Sequence, residues 1–169
     1  MIRYRPGTPA DAALVADLFA RAFVETFGHL YTPADLEAFL ADLSPDGFRE
    51  ELADPSYAFR IAFDGTQAAG YCKLGPLGLP VEADGSAIEL RQLYLLRPWH
   101  GRGIAQVLMD WALDAARARG AQAIFLSVYS DNHRAKAFYR RYGFAFVKPY
   151  HFMVGEQADE DEIWKRELA

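Results

Sequence analysis

Two closely spaced glycines interrupt the chain where the pattern of hydrophobic residues changes. The segment before them, 88–96, is a strongly apolar run typical of a buried strand, whereas apolar residues after them recur at helical spacing. Pro98, Gly101 and Gly103 break the chain between the two patterns. The first turn of a helix carries unpaired N–H groups that attract anions, and glycine lets a ligand approach the main chain closely. The junction therefore predicts a strand, a sharp turn and a helix that bind a phosphate or diphosphate group.

Two other phosphate-binding motifs do not fit this junction. A P-loop has Lys followed by Ser or Thr at the start of the helix, where this sequence has Ile104 and Ala105. A dinucleotide-binding fingerprint has a third glycine, where this sequence has Gln106. Gly101 and Gly103 alone would also suit a tight turn that binds nothing, so the function depends on what accompanies them.

The flanking sequence predicts a mixed α/β sheet in a single domain over residues 1–169. After a short first strand, the N-terminal third is mostly helical, because three helix-start signals precede apolar residues at helical spacing: Thr8-Pro9, Thr32-Pro33 and Ser44-Pro45. Alternating apolar residues then predict a hairpin that turns at Asp64-Gly65.

The last third predicts a strand, a helix and a closing hairpin. The segment 123–128 is typical of a buried strand, and the helix after it begins at Ser130-Asp131-Asn132 and ends at Gly143. The hairpin is predicted to consist of strands 144–154 and 163–168, joined by an acidic loop.

This last helix carries a pattern that gives the glycine junction a specific meaning. Together the two segments resemble the GNAT superfamily of N-acetyltransferases, whose loop reads Gln/Arg-x-x-Gly-x-Gly/Ala and whose later signature reads Asn-x-x-Ala-x-x-x-Tyr-x-x-x-Gly-Phe. The loop is met at Gly103 and Ala105 and departs from the family at its first position, where His100 stands. The signature is met at Asn132, Ala135, Tyr139, Gly143 and Phe144. The core of the resemblance covers residues 88–147.

The resemblance implies a GNAT fold, in which the two central strands splay apart around the co-substrate acetyl-CoA. Main-chain N–H groups of 101–105 would bind the pyrophosphate, and main-chain atoms of 93–95 would bind the pantetheine arm. Arg102, Arg140 and Arg141 are candidates for phosphate groups, or are simply solvated charges. The implied acetyl-CoA-binding residues are Leu93, Tyr94, Leu95, His100, Gly101, Arg102, Gly103, Ile104, Ala105, Asn132, Tyr139 and Arg141.

Acetyl transfer to an amine needs three catalytic groups, and the resemblance suggests a candidate for each. The main-chain N–H of Leu95 would stabilise negative charge on the carbonyl oxygen. Tyr139 matches the general acid that protonates the leaving thiolate, although its spacing also suits a tyrosine packed in the core. Glu89 matches the general base of histone acetyltransferases in the superfamily. It could equally form an ion pair with Arg91 or Arg60, and a chain of water molecules could carry the proton instead.

A narrower resemblance concerns the acceptor. Glu25-Thr26-Phe27, Tyr31-Thr32-Pro33 and the segment 151–156 resemble bacterial spermidine/spermine acetyltransferases of the PaiA type. They imply a primary amine of a small molecule, such as a polyamine. Acidic residues near the first two helices would hold its distal ammonium groups, or are solvated charges: Glu25, Asp35 and Glu37. Two alternatives are a peptide or protein N-terminus or lysine as the acceptor, and a CoA-binding module without transferase activity.

Composition narrows the partners and the location. The net charge of −5 disfavours a nucleic-acid surface, and no apolar run is long enough for a membrane helix or a signal peptide. Cys72 is the single cysteine, so a reducing cytoplasm is the expected location. Cys and His residues lack metal-ligand spacing, so no metal is expected. Apolar residues near the C-terminus would suit a homodimer.

Overall fold

A computed structural model describes residues 1–168. The strands are β1 (Ile2–Pro6), β2 (Ala58–Asp64), β3 (Gln67–Pro76), β4 (Ala87–Leu95), β5 (Ala123–Tyr129), β6 (Ala145–Val154) and β7 (Gln157–Glu167). The helices are α1 (Ala12–Phe27), α2 (Pro33–Ala41), α3 (Pro45–Ala53), α4 (Ile104–Ala118) and α5 (His133–Arg141). The strands form one sheet in the order β1-β2-β3-β4-β5-β7-β6, and β4 runs parallel to β5 while the other neighbours are antiparallel. This architecture confirms the predicted mixed α/β fold.

The N-terminal helices begin where the sequence signals predict. The side-chain oxygens of Thr32 and Ser44 each accept a hydrogen bond from a main-chain N–H three residues further on. The signal at Thr8-Pro9 acts differently, since Pro9–Asp11 forms a 3₁₀ turn and α1 begins only at Ala12. Local capping chemistry therefore sets the starts of α2 and α3, whereas α1 continues from the 3₁₀ turn at Pro9–Asp11.

The two central strands separate soon after they begin. β4 pairs with β5 from Ala87 to Glu89 and no further. β3 continues to pair with β4 as far as Leu95, so β4 remains in the sheet while its other edge is left open. One extra residue in β4, Arg91, interrupts the register with β3, and such a bulge increases the local twist. The predicted splay of the central strands is therefore confirmed.

Helices α1, α2 and α3 cover one face of the sheet, and α4 and α5 cover the other. The ring of Phe19 in α1 packs edge-on against Tyr94 in β4, with ring centroids 5.3 Å apart. α4, which connects the parallel strands β4 and β5, packs on β2, β3 and β4. The hydroxyl of Tyr142 in α5 donates to the main-chain carbonyl of Gln106 in α4 (3.3 Å), which places α5 beside α4. Within residues 1–168, no helix has the length and hydrophobicity needed to cross a lipid bilayer.

The C-terminal hairpin differs from the expectation. β7 spans Gln157–Glu167, so the acidic segment expected to form a loop before strand 163–168 lies within the sheet. The turn consists of Gly155 and Glu156 alone, with Gly155 at a φ of +60°. The predicted acidic loop is therefore wrong. The physical reason is that β5 and β6 satisfy the main chain of β7 on both edges, while its acidic side chains alternate between the two faces of the sheet.

Gly70 allows β3 to approach β4 closely at the border of the opening. A Cβ atom at Gly70 would clash with the carbonyl oxygen of Tyr94 and the side chain of Leu95. We expect Gly70→Ala to lower the free energy of unfolding by about 1–3 kcal/mol, measured by urea denaturation. The control is Gly47→Ala in α3, where an added Cβ meets no atom within 4 Å and where alanine favours the helix by up to about 1 kcal/mol. Equal stabilities of the two variants would contradict this close approach.

Candidate active site

The separation of β4 and β5 opens a cleft through the sheet, with a volume of about 510 Å³. Its two ends differ in chemistry. We call the end on the α4–α5 face the loop side; it is lined by His100, Gly101, Gly103, Asn132, Arg134, Tyr139 and Arg141. We call the end on the α1–α2 face the aromatic side; it is lined by Phe23, Phe27, Tyr31, Tyr129, Phe152, Asp159 and Asp161.

The loop before α4 presents main-chain N–H groups to the loop side. Gly101 and Gly103 have φ angles of +76° and +80°, a left-handed conformation that glycine adopts without strain. Gly103 is the N-cap of α4, so the N–H groups of the first helical turn lack helical acceptors. The indole N–H of Trp99 donates to Asp64 in β2 (3.0 Å) and anchors the loop. The loop therefore has the backbone conformation and the unpaired N–H groups with which a helix N-terminus can bind an anion.

His100 links this loop to the edge of β4. Its Nε2 lies 2.9 Å from the carbonyl oxygen of Leu95, and its Nδ1 lies 3.1 Å from a guanidinium nitrogen of Arg134. Because a guanidinium can only donate, Nδ1 is assigned as the acceptor and Nε2 as the N–H that donates to Leu95. His100 therefore connects the loop to β4 and to α5 through its two ring nitrogens.

The open edge of β4 offers main-chain groups to the cleft. The N–H of Leu96 donates to the carbonyl of Ala69 in β3 (2.9 Å). Residues of an antiparallel strand alternate between facing the partner and facing away, so the main-chain groups of Leu95 and Leu93 face the opening. His100 occupies the carbonyl of Leu95. The N–H of Leu95 thus remains directed into the cleft, where it can stabilise an oxyanion.

Tyr139 lies on the loop side, carried by α5. Asn132 caps this helix by accepting a hydrogen bond from the N–H of Ala135 (3.2 Å). The Tyr139 ring packs against Phe144, with ring centroids 5.8 Å apart. Burial raises the pKa of the Tyr139 hydroxyl above its ordinary value, so this group is protonated at neutral pH. It can therefore donate a proton but does not serve as a base.

The aromatic side contains a buried carboxylate held by two donors. The hydroxyl of Tyr31, which stacks on Phe23, donates to one oxygen of Asp159. Nε2 of Gln157 donates to the other oxygen (3.0 Å). Burial, and then the hydrogen bond to Asp159, raise the pKa of Tyr31. Asp159 is therefore fixed in place, and it ties the segment after α1 to β7.

Asp161 lies two residues further along β7, on the same face of the sheet as Asp159. Burial, and then the negative charge of Asp159, raise the pKa of Asp161 to about 7. Across residues 1–168, no Lys, Arg or His nitrogen lies within 4.0 Å of either carboxylate. The aromatic side is therefore an acidic pocket with aromatic walls, an environment that suits an organic cation.

The sequence from 15 to 144 matches the profile of the acetyltransferase (GNAT) family. This chain belongs to the GNAT family. Since GNAT enzymes transfer acyl groups and the curated relatives are named N-acetyltransferases, the chain is an acyltransferase.

Relatives and a solved structure agree with this assignment. The chain is 33% identical over 159 residues to an uncharacterized N-acetyltransferase of Mycobacterium bovis, covering 94% of this chain and 98% of the relative. It is 31% identical over 107 residues to an aminoalkylphosphonate N-acetyltransferase of Salmonella typhimurium, covering 63% and 67% of the two chains. The structure of the PaiA N-acetyltransferase of Thermoplasma acidophilum in complex with coenzyme A has a TM-score of 0.80 at 18% identity, covering 99% of each chain. This last similarity shows a shared GNAT fold.

Nearly all of the residues expected to bind acetyl-CoA in this GNAT chain surround the cleft. The exception is Arg102, whose guanidinium lies 3.4 Å from the carboxylate of Asp64 and points away from the cleft lining. Arg140 also lies outside, with its guanidinium 5.1 Å from the ring centre of Trp164. Arg141 does line the cleft, and Arg134, which the sequence did not single out, lines it as well.

Glu89 lies outside the cleft, which corrects its expected role as the general base. Its carboxylate accepts a hydrogen bond from the N–H of Gly78 (2.9 Å), and the residue is 8% exposed. Glu89 belongs to the last residue pair that joins β4 to β5, and the opening begins only beyond it. The alternative ion pair with Arg91 or Arg60 is also absent among the salt bridges of residues 1–168.

The acidic residues near α1 and α2 lie away from the cleft lining too, which corrects their suggested contact with an acceptor. A carboxylate oxygen of Glu25 accepts a hydrogen bond from the N–H of Arg97 (2.9 Å), and Asp35 accepts one from the N–H of Glu156 (3.3 Å). Glu37 is exposed. These carboxylates connect α1 and α2 to neighbouring segments or face the solvent.

Sequence reasoning missed Asp159 and Asp161, which provide the negative charge of the cleft. The sequence pattern predicts a loop at these positions, where carboxylates need no explanation. Asp159, Asp161 and Ile163 are spaced two residues apart, as in a strand with one buried face. This spacing is the signal in the sequence that could have identified a strand here.

Gly103 can be tested against a glycine at the other end of the same helix. Gly103 and Gly120 have φ angles of +80° and +78°, and an added Cβ meets no atom closer than 4.0 Å at either position. We expect Gly103→Ala and Gly120→Ala to lose similar stability, about 1–2 kcal/mol, because both force alanine into a left-handed conformation. Only Gly103→Ala should weaken coenzyme A binding, by about tenfold or more, measured by calorimetry. Equal binding by both variants would show that the loop does not hold the diphosphate.

Proposed function

We propose that this chain transfers the acetyl group of acetyl-CoA to the primary amine of a small organic cation, such as a polyamine. One observation supports this proposal above all others. A single cleft joins main-chain N–H groups suited to a diphosphate, on the loop side, to aromatic rings and two carboxylates, on the aromatic side.

The loop side fits the phosphate groups of acetyl-CoA. The helix dipole of α4 and the unpaired N–H groups after Gly103 favour an anion, and the guanidinium groups of Arg134 and Arg141 line the same region. The open edge of β4 at Leu93 and Leu95 provides main-chain donors and acceptors for the amide groups of a pantetheine arm. These features extend from the loop into the opening of the sheet.

The aromatic side fits an alkylammonium group. Rings such as Phe27 and Tyr129 attract a cation through their faces, and Asp159 and Asp161 provide unneutralised negative charge. An acceptor with an anionic group would be repelled by the same carboxylates. The aminoalkylphosphonate N-acetyltransferase of Salmonella typhimurium is named for an acceptor that carries an anionic phosphonate group. The acidic pocket of this chain does not suit such an acceptor.

The groups that line the cleft account for the proton balance of the transfer. An alkyl ammonium ion has a pKa of about 10.4, so it must lose one proton before its nitrogen can attack the thioester carbon. The N–H of Leu95 stabilises the negative charge that then develops on the carbonyl oxygen. As the C–S bond breaks, Tyr139 donates its proton to the sulfur and recovers one from the nitrogen, which becomes an amide. The first proton leaves as a net product of the reaction.

Release of free thiol from acetyl-CoA tests the acceptor class directly. We expect spermidine and spermine to give a kcat/KM at least about tenfold higher than aminoalkylphosphonates or amino acids, because the latter carry an anionic group into an acidic pocket. Faster release with peptides would identify a protein N-terminus or lysine as the acceptor. Binding of coenzyme A without thiol release from any amine would identify a non-catalytic module and contradict the proposal.

Tyr139 can be tested against a tyrosine on the same helix. We expect Tyr139→Phe to lower kcat by about 100-fold while the KM for acetyl-CoA changes by less than about twofold, because the hydroxyl acts on the leaving thiolate. Tyr142→Phe is the control, since the Tyr142 hydroxyl donates to the carbonyl of Gln106 and not into the cleft. An unchanged kcat in Tyr139→Phe would remove Tyr139 from the mechanism.

A further inference from the structure

We propose that Asp161 is the general base of the acetyl transfer and that Asp159, held by Tyr31, is a positioning residue whose charge tunes it. This inference rests on the proposed function, because it assigns the group that takes the first proton from the acceptor ammonium. It also replaces Glu89, which lies outside the cleft.

A general base must line the cavity in which the amine reacts, and the position of Asp161 meets this first requirement. Asp161 lies on the face of β7 that borders the aromatic side, opposite Tyr129 in β5, and lines the same cleft as Tyr139. Tyr94 lines the same cleft as both groups; burial raises the pKa of its hydroxyl, and the nearby Tyr139 and Asp161 raise it further. Since Tyr139 lies on the loop side and Asp161 on the aromatic side, the acid and the base are placed at opposite ends of the opening between β4 and β5.

The surroundings of Asp161 meet the second requirement, a carboxylate that is basic enough near neutral pH. The titratable groups that face it are Asp159 on its own strand, Tyr129 on β5, Tyr150 on β6, Tyr94 on β4 and Tyr31 in the segment after α1. None of these groups is a cation. Burial together with the charge of Asp159 brings the pKa of Asp161 to about 7, close to the optimum for a general base at physiological pH.

Asp159 differs from Asp161 in being fully engaged. Tyr31 and Gln157 donate to its two oxygens, and it is 5% exposed. Each of its oxygens therefore already accepts a hydrogen bond from a protein donor that holds it in place, and we assign its effect on the reaction to the charge that it places beside Asp161. When a cationic acceptor enters, its ammonium group is the first positive charge to face Asp161, and the free carboxylate oxygens can accept its proton.

The protons balance in this scheme. Asp161 accepts one proton from the acceptor ammonium, and the freed lone pair forms the C–N bond as the C–S bond breaks. The sulfur receives its proton from Tyr139, which is reprotonated by the second proton that leaves the nitrogen. Asp161 then releases its proton to the solvent. The net products are the acetylated amine, free coenzyme A thiol and one proton.

The test is the pH dependence of kcat/KM for spermidine between about pH 5.5 and 9. The wild type is expected to show a limb that rises through about pH 7, set by Asp161. Asp161→Asn should lower kcat/KM at pH 7 by about 100-fold and abolish this limb. Asp159→Asn should keep the limb but move its midpoint to lower pH by roughly half a unit or more, because a neighbouring negative charge is lost.

Glu160→Gln is the matched control. Glu160 lies between the two aspartates on β7, is exposed on the opposite face of the sheet, and its substitution removes the same charge. It should leave both the rate and the limb unchanged.

Thermal unfolding provides a readout that needs no acceptor. Because the pKa of Asp161 is raised in the folded state, ionisation of Asp161 lowers the free energy of unfolding. This cost is absent below the pKa of an unfolded aspartate, about 4, grows as the pH rises, and is complete above about pH 7. Asp161→Asn should therefore raise Tm more at pH 8 than at pH 5, and Glu160→Gln should not. This measurement also shows that Asp161→Asn is folded.

The outcomes separate this inference from the proposed function. If Asp161→Asn keeps the wild-type rate and limb, the assignment of the base is overturned while the proposed function stands. If the wild type turns over no amine, both are overturned. A limb that vanishes in Asp161→Asn and shifts in Asp159→Asn supports the assignment, since a purely structural role would not move the midpoint.

Discussion

The divergence of β4 from β5 is the constraint on which the rest of this structure depends. In a continuous sheet, the main-chain groups of Leu95 would be paired and the two faces would be isolated from each other. Here β3 holds β4, and β7 holds β5, so each strand keeps a partner on its outer edge while the inner edges separate beyond Glu89. The resulting opening is bounded by regular secondary structure on both sides. It is therefore a fixed feature of the fold and does not require a loop to move.

This opening brings opposite electrostatic environments together. On one face, the dipole of α4 and its unpaired N–H groups favour phosphate. On the other, Asp159 and Asp161 favour a cation. His100 connects the edge of β4 to α5, because its two ring nitrogens contact the carbonyl oxygen of Leu95 and the guanidinium of Arg134. A donor that is anionic at its far end and an acceptor that is cationic would thus enter from opposite faces and meet where Leu95 borders the opening.

The features of the site that the sequence predicts are local, and the features that it misses are long-range. The turn at Gly101 and Gly103 and the cap at Asn132 are determined by neighbouring residues, so their chemistry can be interpreted from a short segment. The hydrogen bond between Tyr31 and Asp159 joins residues 128 positions apart, and it forms only because β7 is inserted between β5 and β6. Glu89 was misplaced for a related reason. Its strand was recognised correctly, but where the strand leaves its neighbour depends on pairing that one segment does not reveal.

The most direct test of the central claim is a crystal structure of this chain with coenzyme A. We expect the diphosphate to contact the main-chain N–H groups of the turn that starts α4, and the thiol to lie in the opening, between the open edge of β4 and the residues of β5 beyond Phe125. Coenzyme A bound on another surface, or bound at the loop with its thiol directed away from the opening, would contradict the claim that the separated strands join donor to acceptor.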